Sequence, residues 1–409
     1  MTTSGKYIVD ATALDIIQES LGLIGVYAPG ESLDDSEADD ALRTLRFFLK
    51  ARQHQIGIWL YRELSLFLAD ETVSYSIGPT GTHCAQNAIK TEVATAAASG
   101  ASSLVIDSTT GFGDTFDRDG ISEASTPTGA GSFTLGGALC TSGIATLSSN
   151  RKVCFYSDAN ESGDTYAITG TNAAGVAVTE SVTGPNATTV YSTNEYKTIT
   201  SITTTGAGTG NIEIGQVGDH VGIELDDGTV QWTNIGAALS TTLTLITTLT
   251  DSVAVDNHVY SYTTKTPRPI ELVEARLVRP DGRETPLVIS GRQDYQLLSQ
   301  KTNEATPNQI WYDKQLTNGI IRIWPEPDDV QDYIKFTARF PIQDLTMTSE
   351  TFEVSDEWYE AISWQLAIRL APKYERPIDP TMGLMAQDMW DKALSFDSEN
   401  TSSIISMGR

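Results

Sequence analysis

The sequence predicts an α+β protein: a helical body with a small antiparallel sheet, carrying a large all-β insertion that is sandwich-like and itself nested. Two observations predict this. Residues 1–78 and 266–409 are rich in charge, Trp and Leu and show helical periodicity, whereas 79–265 is dominated by Thr, Ser, Gly, Ala and Val. A chain of 409 residues also exceeds a single hydrophobic core. We therefore expect a discontinuous body whose two parts fold together around the insertion.

Two helices are predicted near the N-terminus. Thr12–Asp15 resembles a capping box, and apolar residues follow it at helical spacing as far as Ile24. The second helix is expected to begin near Ser36 and to end by Gly57. Shorter periodicity between residues 59 and 77 then predicts strands. These elements form the first half of the expected body.

The C-terminal part begins with hairpins. Turn residues at 280–283 and the pair Asn318-Gly319 each lie between β-branched segments, which predicts two hairpins. Tyr333–Phe340 is expected to add another strand. These strands make up the small antiparallel sheet of the predicted body.

Two further helices are predicted after the hairpins. Trp358–Leu370 carries apolar side chains around most of its circumference, which is typical of a helix at the centre of a bundle. A last helix is expected from about Met382 to Phe396. We predict that three aromatic residues of these helices lie in the body core or at an interface: Trp358, Trp364 and Trp390.

The insertion is predicted to contain two β-domains, one inside the other. Segments 79–117 and 218–265 form the first, with a hairpin at Asp227-Gly228. Residues 118–217 form the second, because five to seven short strands alternate with turn residues at the spacing of a β-sandwich. A flexible Ser/Thr/Gly linker is the alternative interpretation of that segment.

The charge balance excludes several function classes. The chain has 27 Lys and Arg against 53 Asp and Glu, a formal net charge of −26. Binding nucleic acid through its phosphates needs clustered cations, and an anionic membrane surface repels such a chain. No apolar run approaches a bilayer span, and the N-terminus lacks the pattern of a signal peptide. We expect a soluble protein made in a cytoplasm.

The search for catalytic chemistry identifies no enzyme, cofactor site or metal site. Neither the four histidines nor the three cysteines have metal-ligand spacing. The acidic tract 114–123 departs from the calcium-loop pattern at both ends. Glu224 and Asp226 could pair as glycosidase carboxylates, but the Asp-Gly turn next to them explains them structurally.

The order of the terminal segments resembles a known family. The N-terminal tracts ATALDIIQESLGLIGVY and DDSEADDALRTLRFFLKARQ, followed by IWLY, resemble the start of the head-to-tail adaptor proteins of short-tailed phages. These are also called packaged-DNA stabilisation or tail accessory proteins. The C-terminal tracts RPIELVEARL, GRQDYQLLSQKTNEATPNQIWYDKQLTNGIIRIWPEP and EWYEAISWQLAIRLAPKY complete the resemblance. It covers about 10–78 and 266–400, and shorter members of the family lack so large an insertion.

The resemblance implies a virion structural protein assembled in the host cytoplasm. Such proteins form a ring, usually of twelve subunits, which docks on the portal protein at the tail vertex. The ring extends the channel for double-stranded DNA without sequence-specific binding, helps to retain the packaged genome and provides a platform for the next tail or nozzle protein. By analogy, the C-terminal segment 401–409 docks on the portal. Its expected portal-binding residues are Ile404, Ile405, Met407 and Arg409.

Three other functions remain open from the sequence. A tail-tube or nozzle subunit would assemble further from the portal. A host-surface carbohydrate-binding adhesin would use segment 118–217. A polysaccharide hydrolase would need Glu224 and Asp226 as a catalytic pair.

Overall fold

The fold was obtained as a computed structural model that describes residues 9, 11–27, 33–57, 60–69, 72–112, 116–173, 175–328, 330–351 and 353–397. Its α-helices are α1 (Ala13–Leu23), α2 (Asp35–Arg52), α3 (Arg292–Leu297), α4 (Tyr359–Leu370) and α5 (Pro380–Phe396). Its first strands are β1 (Tyr61–Phe67), β2 (Ser74–Ile77), β3 (Cys84–Ala85), β4 (Ile89–Thr95), β5 (Ser103–Ile106), β6 (Asp117–Ser125), β7 (Gly131–Ser132), β8 (Cys140–Thr141), β9 (Ile144–Arg151), β10 (Val153–Ser157), β11 (Thr165–Thr171) and β12 (Ala177–Thr183). The remaining strands are β13 (Thr189–Tyr191), β14 (Tyr196–Thr204), β15 (Ile212–Gln216), β16 (His220–Glu224), β17 (Val230–Leu239), β18 (Thr242–Leu245), β19 (His258–Tyr262), β20 (Glu271–Val278), β21 (Glu284–Pro286), β22 (Val288–Ile289), β23 (Gln309–Asp313), β24 (Gly319–Trp324) and β25 (Tyr333–Arg339).

The described residues divide into two compact units. Unit 1 combines the two ends of the chain, 1–62 and 339–409, and unit 2 comprises 63–338. Four of the helices, α1, α2, α4 and α5, belong to unit 1, and nearly all of the strand residues belong to unit 2.

The helices of unit 1 begin at well-formed caps. The Oγ1 of Thr12 accepts the Asp15 backbone N–H at 3.2 Å, and the Asp15 carboxylate accepts the Thr12 N–H at 2.8 Å. This is the capping box that the sequence predicted. Helix α2 is capped by Asp34 and has acidic residues in its first turn and basic residues in its last. That charge order complements the helix dipole.

Helix α4 occupies the centre of unit 1, as its all-round apolar pattern predicted. It packs against α1, α2 and α5. At the N-terminal end of α4, the rings of Trp358 and Trp390 meet edge to face with 5.0 Å between their centroids. The ring of Phe48 on α2 meets that of Trp390 with 5.7 Å between centroids. The Ser20 hydroxyl of α1 also donates to the Ser363 carbonyl of α4 at 3.0 Å. The two ends of the chain therefore share one apolar core.

Two sheets of unit 2 are built from segments flanking the insertion, apart from the two-residue β3 inside it. One has the strand order β21-β20-β25-β1-β3, and the other has the order β2-β24-β23-β22. Both predicted hairpins are confirmed: β20 pairs with β21 across the turn at 280–283, and β23 pairs with β24 across Asn318-Gly319. The sheets are completed by pairings between strands far apart in sequence, such as β2 with β24.

A closed six-stranded barrel follows, with the order β16-β17-β18-β5-β4-β19. Its strands come from residues 89–106 and 220–262. The β16–β17 hairpin turns at Asp227-Gly228, where Gly228 has a φ of +83° that favours glycine. Every residue of β16 and β19 is buried, because the barrel interior covers one face and the rest of unit 2 covers the other.

Between the barrel segments lie two sheets that face each other as a sandwich. The first has the order β13-β10-β15-β6, and the second has the order β12-β11-β14-β9-β8 with β7 beside β14. One apolar core is shared by both, including Phe155 from the first and Tyr166 from the second. Their rings stack at 5.2 Å. The alternation of β-branched and turn residues therefore encodes strands in this segment.

The predicted fold class, a helical body with a small antiparallel sheet and an all-β insertion, is wrong. The chain is mostly β, with 39% of residues in strands and 19% in helices. The physical reason is that the terminal segments supply all the strands of two sheets, of five and four strands, except the two-residue β3, through pairings between distant segments. Such pairings leave only short strand patterns in the sequence. Helices are easier to recognise, because apolar residues recur at helical spacing over ten or more consecutive residues. The periodic helices consequently dominated the prediction.

Candidate functional site

Four residues near the C-terminus are predicted to bind the portal. Ile404, Ile405, Met407 and Arg409 lie outside the described residues, which end at residue 397. Of the predicted core or interface residues, Trp358 and Trp390 are buried inside unit 1. Trp364, on α4, is half-buried.

The two candidate glycosidase carboxylates hold the end of the barrel together. Glu224 accepts the backbone N–H of His258 at 2.8 Å, lies 3.0 Å from Nδ1 of the same residue and accepts Nε2 of Gln331 at 2.6 Å. Burial raises the pKa of Glu224, but these hydrogen bonds outweigh it and leave the pKa below its ordinary value.

Asp226 has an equally structural role. It accepts the Ser252 hydroxyl at 2.7 Å and the Ala254 N–H at 2.8 Å, and the Ser252 bond is the main cause of its lowered pKa. A glycosidase needs one carboxyl group with a raised pKa to act as the general acid. The lowered pKa values of Glu224 and Asp226 do not match that requirement.

The acidic tract 114–123 does not gather into an ion site. Asp114 lies outside the described residues, and Asp117 opens strand β6, where burial and the neighbouring Asp119 raise its pKa. Within the described ranges, no group of three or more His, Cys, Asp or Glu side chains is arranged to hold a metal ion.

The most distinctive site is a polar cavity of about 350 Å³ in unit 2. Its wall comes from three parts of the unit: the β2–β3 connection, the sandwich and the barrel. Strand pairing brings these parts together from positions far apart in the sequence. The size falls within the range of small-molecule sites.

Two histidines form one side of this cavity. The ring of His83 stacks on Trp232 with 3.9 Å between centroids and an angle of 6°. His220 stacks on Tyr262 at 4.7 Å, and His83 Nδ1 is hydrogen-bonded to the Tyr262 hydroxyl. Burial, reinforced by the charge of Lys265, lowers the pKa of His83 to about 2 and that of His220 to about 3. Both imidazoles are therefore neutral at physiological pH.

The charged lining consists of two lysines and one glutamate. Lys152 follows β9, Lys265 follows β19, and Glu195 precedes β14. Oε1 of Glu195 lies 3.4 Å from Nε2 of His220. Burial raises the pKa of Glu195, an effect that Lys265 and Lys152 oppose. Amide and hydroxyl side chains complete the lining, among them Asn150, Asn194, Asn234, Thr233 and Thr247.

A buried ion pair holds the sandwich to the barrel beside this cavity. Nη2 of Arg151, from β9, donates to Oδ1 of Asp219 at 2.5 Å, and both side chains are nearly inaccessible to solvent. Arg151 also donates to the Val217 carbonyl at 3.2 Å, and Asp219 accepts the Thr263 hydroxyl at 3.0 Å. These contacts satisfy the pair internally, which is the condition for a stable buried charge.

Sequence reasoning did not identify this cavity. The sequence spacing of the histidines carries no sign of it, because His83 and His220 are more than one hundred residues apart in sequence and meet only in the folded chain. No short sequence motif predicts a contact between residues so far apart. The one available signal was the unusual Trp232 in a tract otherwise made of small and polar residues.

Comparisons with protein-family models and with curated protein sequences find no match to this chain. In the part of the chain that the structure describes, none of the helices combines the length and the apolar character needed to cross a membrane.

Proposed function

We propose that this chain is a virion structural protein, a head-to-tail adaptor whose copies form a ring on the portal at the tail vertex. The ring extends the DNA channel, helps to retain the packaged genome and offers a platform for the downstream tail or nozzle protein. One observation carries the proposal: unit 1 joins α1 and α2 to α4 and α5 in a single core, although 276 residues of unit 2 separate them in sequence. These helices lie within the segments, 10–78 and 266–400, that carry the resemblance to phage adaptors.

The surface of unit 1 supports assembly into a ring. Phe47 on α2 is 71% exposed, and Leu384 and Phe396 on α5 are 72% and 63% exposed. Large apolar side chains that stay exposed in one subunit gain free energy when a neighbouring copy covers them. A closed ring repeats one such heterologous contact until it closes.

The charge of the chain supports its place on a DNA channel. With a net charge of −26, the ring would attract DNA phosphates poorly. Double-stranded DNA would therefore pass without sequence-specific binding, and acidic residues on the lumen would let it slide.

The test is the light-scattering mass of the full chain, alone and mixed with the portal ring of the same phage. We expect a stoichiometric, ring-sized complex with the portal. No binding at concentrations well above about 1 µM would contradict the adaptor function, and would favour the tail-tube or nozzle alternative.

A matched pair of variants locates the contact between copies. Leu384→Asp places a charge on the exposed face of α5 and should weaken ring formation by at least about tenfold. Leu316→Asp makes the same change at a residue of unit 2 that is 93% exposed, and should leave the mass of the complex unchanged. Equal behaviour of the two variants would show that α5 does not form the contact.

A further inference from the structure

We propose that the polar cavity of unit 2 binds a sugar acid, a pyranose that carries one carboxylate and several hydroxyl groups. The proposal does not rest on the adaptor function. It rests on the side chains that converge in the cavity: two lysines, one glutamate, two uncharged histidines and a set of amides and hydroxyls.

The lysines indicate an anionic group on the ligand. Lys152 and Lys265 line the cavity, and among the described residues neither ammonium group makes a hydrogen bond or ion pair with the protein. Arg151, the nearby arginine, is fully engaged by Asp219 and Val217. The cavity thus offers two uncommitted cations in a chain whose net charge is −26. A carboxylate on the ligand would pair with them.

Glu195 and the amides indicate hydroxyl groups on the same ligand. The carboxyl group of Glu195 offers two oxygens that accept hydrogen bonds, which favours a partner that donates them. Thr233 donates its hydroxyl to Thr247, and Asn234 donates its amide group to Gly218 and His220, so their oxygens are left to accept hydrogen bonds from hydroxyl groups. Asn194 also lines the cavity. Hydrogen phosphate has a single O–H to give Glu195, fewer donors than the several hydroxyl groups of a sugar ring. One carboxylate on a hydroxylated ring satisfies both the lysines and Glu195.

The remaining wall suits the apolar face of a pyranose. Val178 and Ile246 line the cavity beside Trp232. The indole is fixed, because His83 stacks on it and Gly222 lies against it so closely that a Cβ there would be 2.7 Å from the ring. Arg151 and Asp219 are already locked in their buried pair, so the charged protein side chains left to order on binding are those of Lys152 and Lys265.

Isothermal titration of the full chain tests the proposal. The probes are D-glucuronate, D-galacturonate and N-acetylneuraminate, compared with D-glucose, D-glucosamine and inorganic phosphate. We expect at least one sugar acid to bind with a Kd of about 1 mM or tighter. Glucose should bind at least about tenfold more weakly, and the cationic glucosamine more weakly still. Raising sodium chloride from about 50 to about 500 mM should weaken the sugar acid several-fold but not glucose.

Variants assign the binding to this cavity. Lys152→Gln combined with Lys265→Gln should weaken sugar-acid binding by at least about tenfold, with the near-ultraviolet circular dichroism unchanged. Lys314→Gln removes an exposed lysine elsewhere in unit 2 and should have no effect. The probe comparison and the salt dependence use the unaltered chain, so they decide the matter even if the double variant fails to fold.

Several results would overturn the proposal. These are no binding by any of the three sugar acids, equal binding of glucose, tighter binding of phosphate, or full binding by a folded double variant. A further arm separates the two sources of the ligand. Tighter binding of an oligogalacturonate than of galacturonate would identify the end of an acidic polysaccharide, and equal binding would identify a free sugar acid.

Discussion

His83 and His220 illustrate what burial does to single residues. Each imidazole lies in a wall of aromatic rings, and desolvation keeps both neutral. The unfolded chain binds a proton at each histidine below the ordinary pKa of 6.5, whereas the folded chain does so only at about 2 or about 3. The unfolded state therefore holds more protons in acid, and the free energy of unfolding falls as the pH decreases from 6.5 towards 3.

The part of this decrease in the free energy of unfolding that is due to His83 can be measured by substitution. Between about pH 7 and about pH 5, each buried neutral histidine should cost about 2 kcal/mol of stability. His83→Phe keeps a ring stacked on Trp232 but cannot titrate. We expect urea unfolding of this variant to lose about 2 kcal/mol less than the unaltered chain over that pH interval.

Leu316 provides the control for this measurement. It is 93% exposed and does not titrate, so Leu316→Phe should leave the pH dependence unchanged. Parallel pH profiles for His83→Phe and the unaltered chain would show that His83 takes up its proton in the folded state. That result would contradict the statement that His83 is uncharged in the folded protein.

At the scale of elements, a glycine in strand β16 allows the strand to lie close to the indole of Trp232. Gly222 faces the indole of Trp232 from the neighbouring strand β17, and a Cβ on it would lie 2.7 Å from two carbon atoms of the ring. Gly222→Ala should therefore force the indole away. We expect a loss of about 1–3 kcal/mol in the free energy of unfolding and a change in tryptophan fluorescence.

Gly129→Ala is the matched control. A Cβ at Gly129 has no atom within 4 Å, so its effect should remain within about 0.5 kcal/mol. If Gly222→Ala is as mild as the control, the barrel strand can shift to accept a methyl group, and the indole is not rigidly held.

Local elements were predictable because their signals lie within a few residues. The Thr12 capping box, the hairpin at Asn318-Gly319 and the one at Asp227-Gly228 follow directly from backbone preferences. The pairing of β2 with β24 was not predictable, since nothing in the short strand SYSI specifies a partner more than two hundred residues away. The cavity shares that origin, because its wall combines the β2–β3 connection, the sandwich and the barrel.

At the scale of the whole molecule, the sandwich behaves as a graft on the barrel. Its first and last strands pair so that Asp117 stands opposite Gln216, which puts the two ends of the segment side by side. The apolar cores of the sandwich and of the barrel have no residue in common. The contacts that join them beside the cavity are polar, with Arg151 and Asp219 the most deeply buried.

This arrangement predicts that the sandwich can be removed. Replacing residues 118–215 by two glycines should leave the barrel core intact. The deletion variant should therefore still unfold cooperatively. The deletion also removes Arg151 and the sandwich residues that cover Asp219, so water can solvate the carboxylate. Asp219→Asn in the deletion variant should therefore change the free energy of unfolding by no more than about 0.5 kcal/mol.

Urea unfolding of the two deletion variants measures this difference. In the undeleted chain, Asp219→Asn should cost about 3–5 kcal/mol, because it leaves the buried Arg151 guanidinium without the charge that it pairs with. The contrast between the two backgrounds distinguishes loss of an ion pair from a general effect of the substitution. If Asp219→Asn changes stability equally in both backgrounds, or if neither deletion variant unfolds cooperatively, the sandwich is an integral part of the barrel's core rather than a graft upon it.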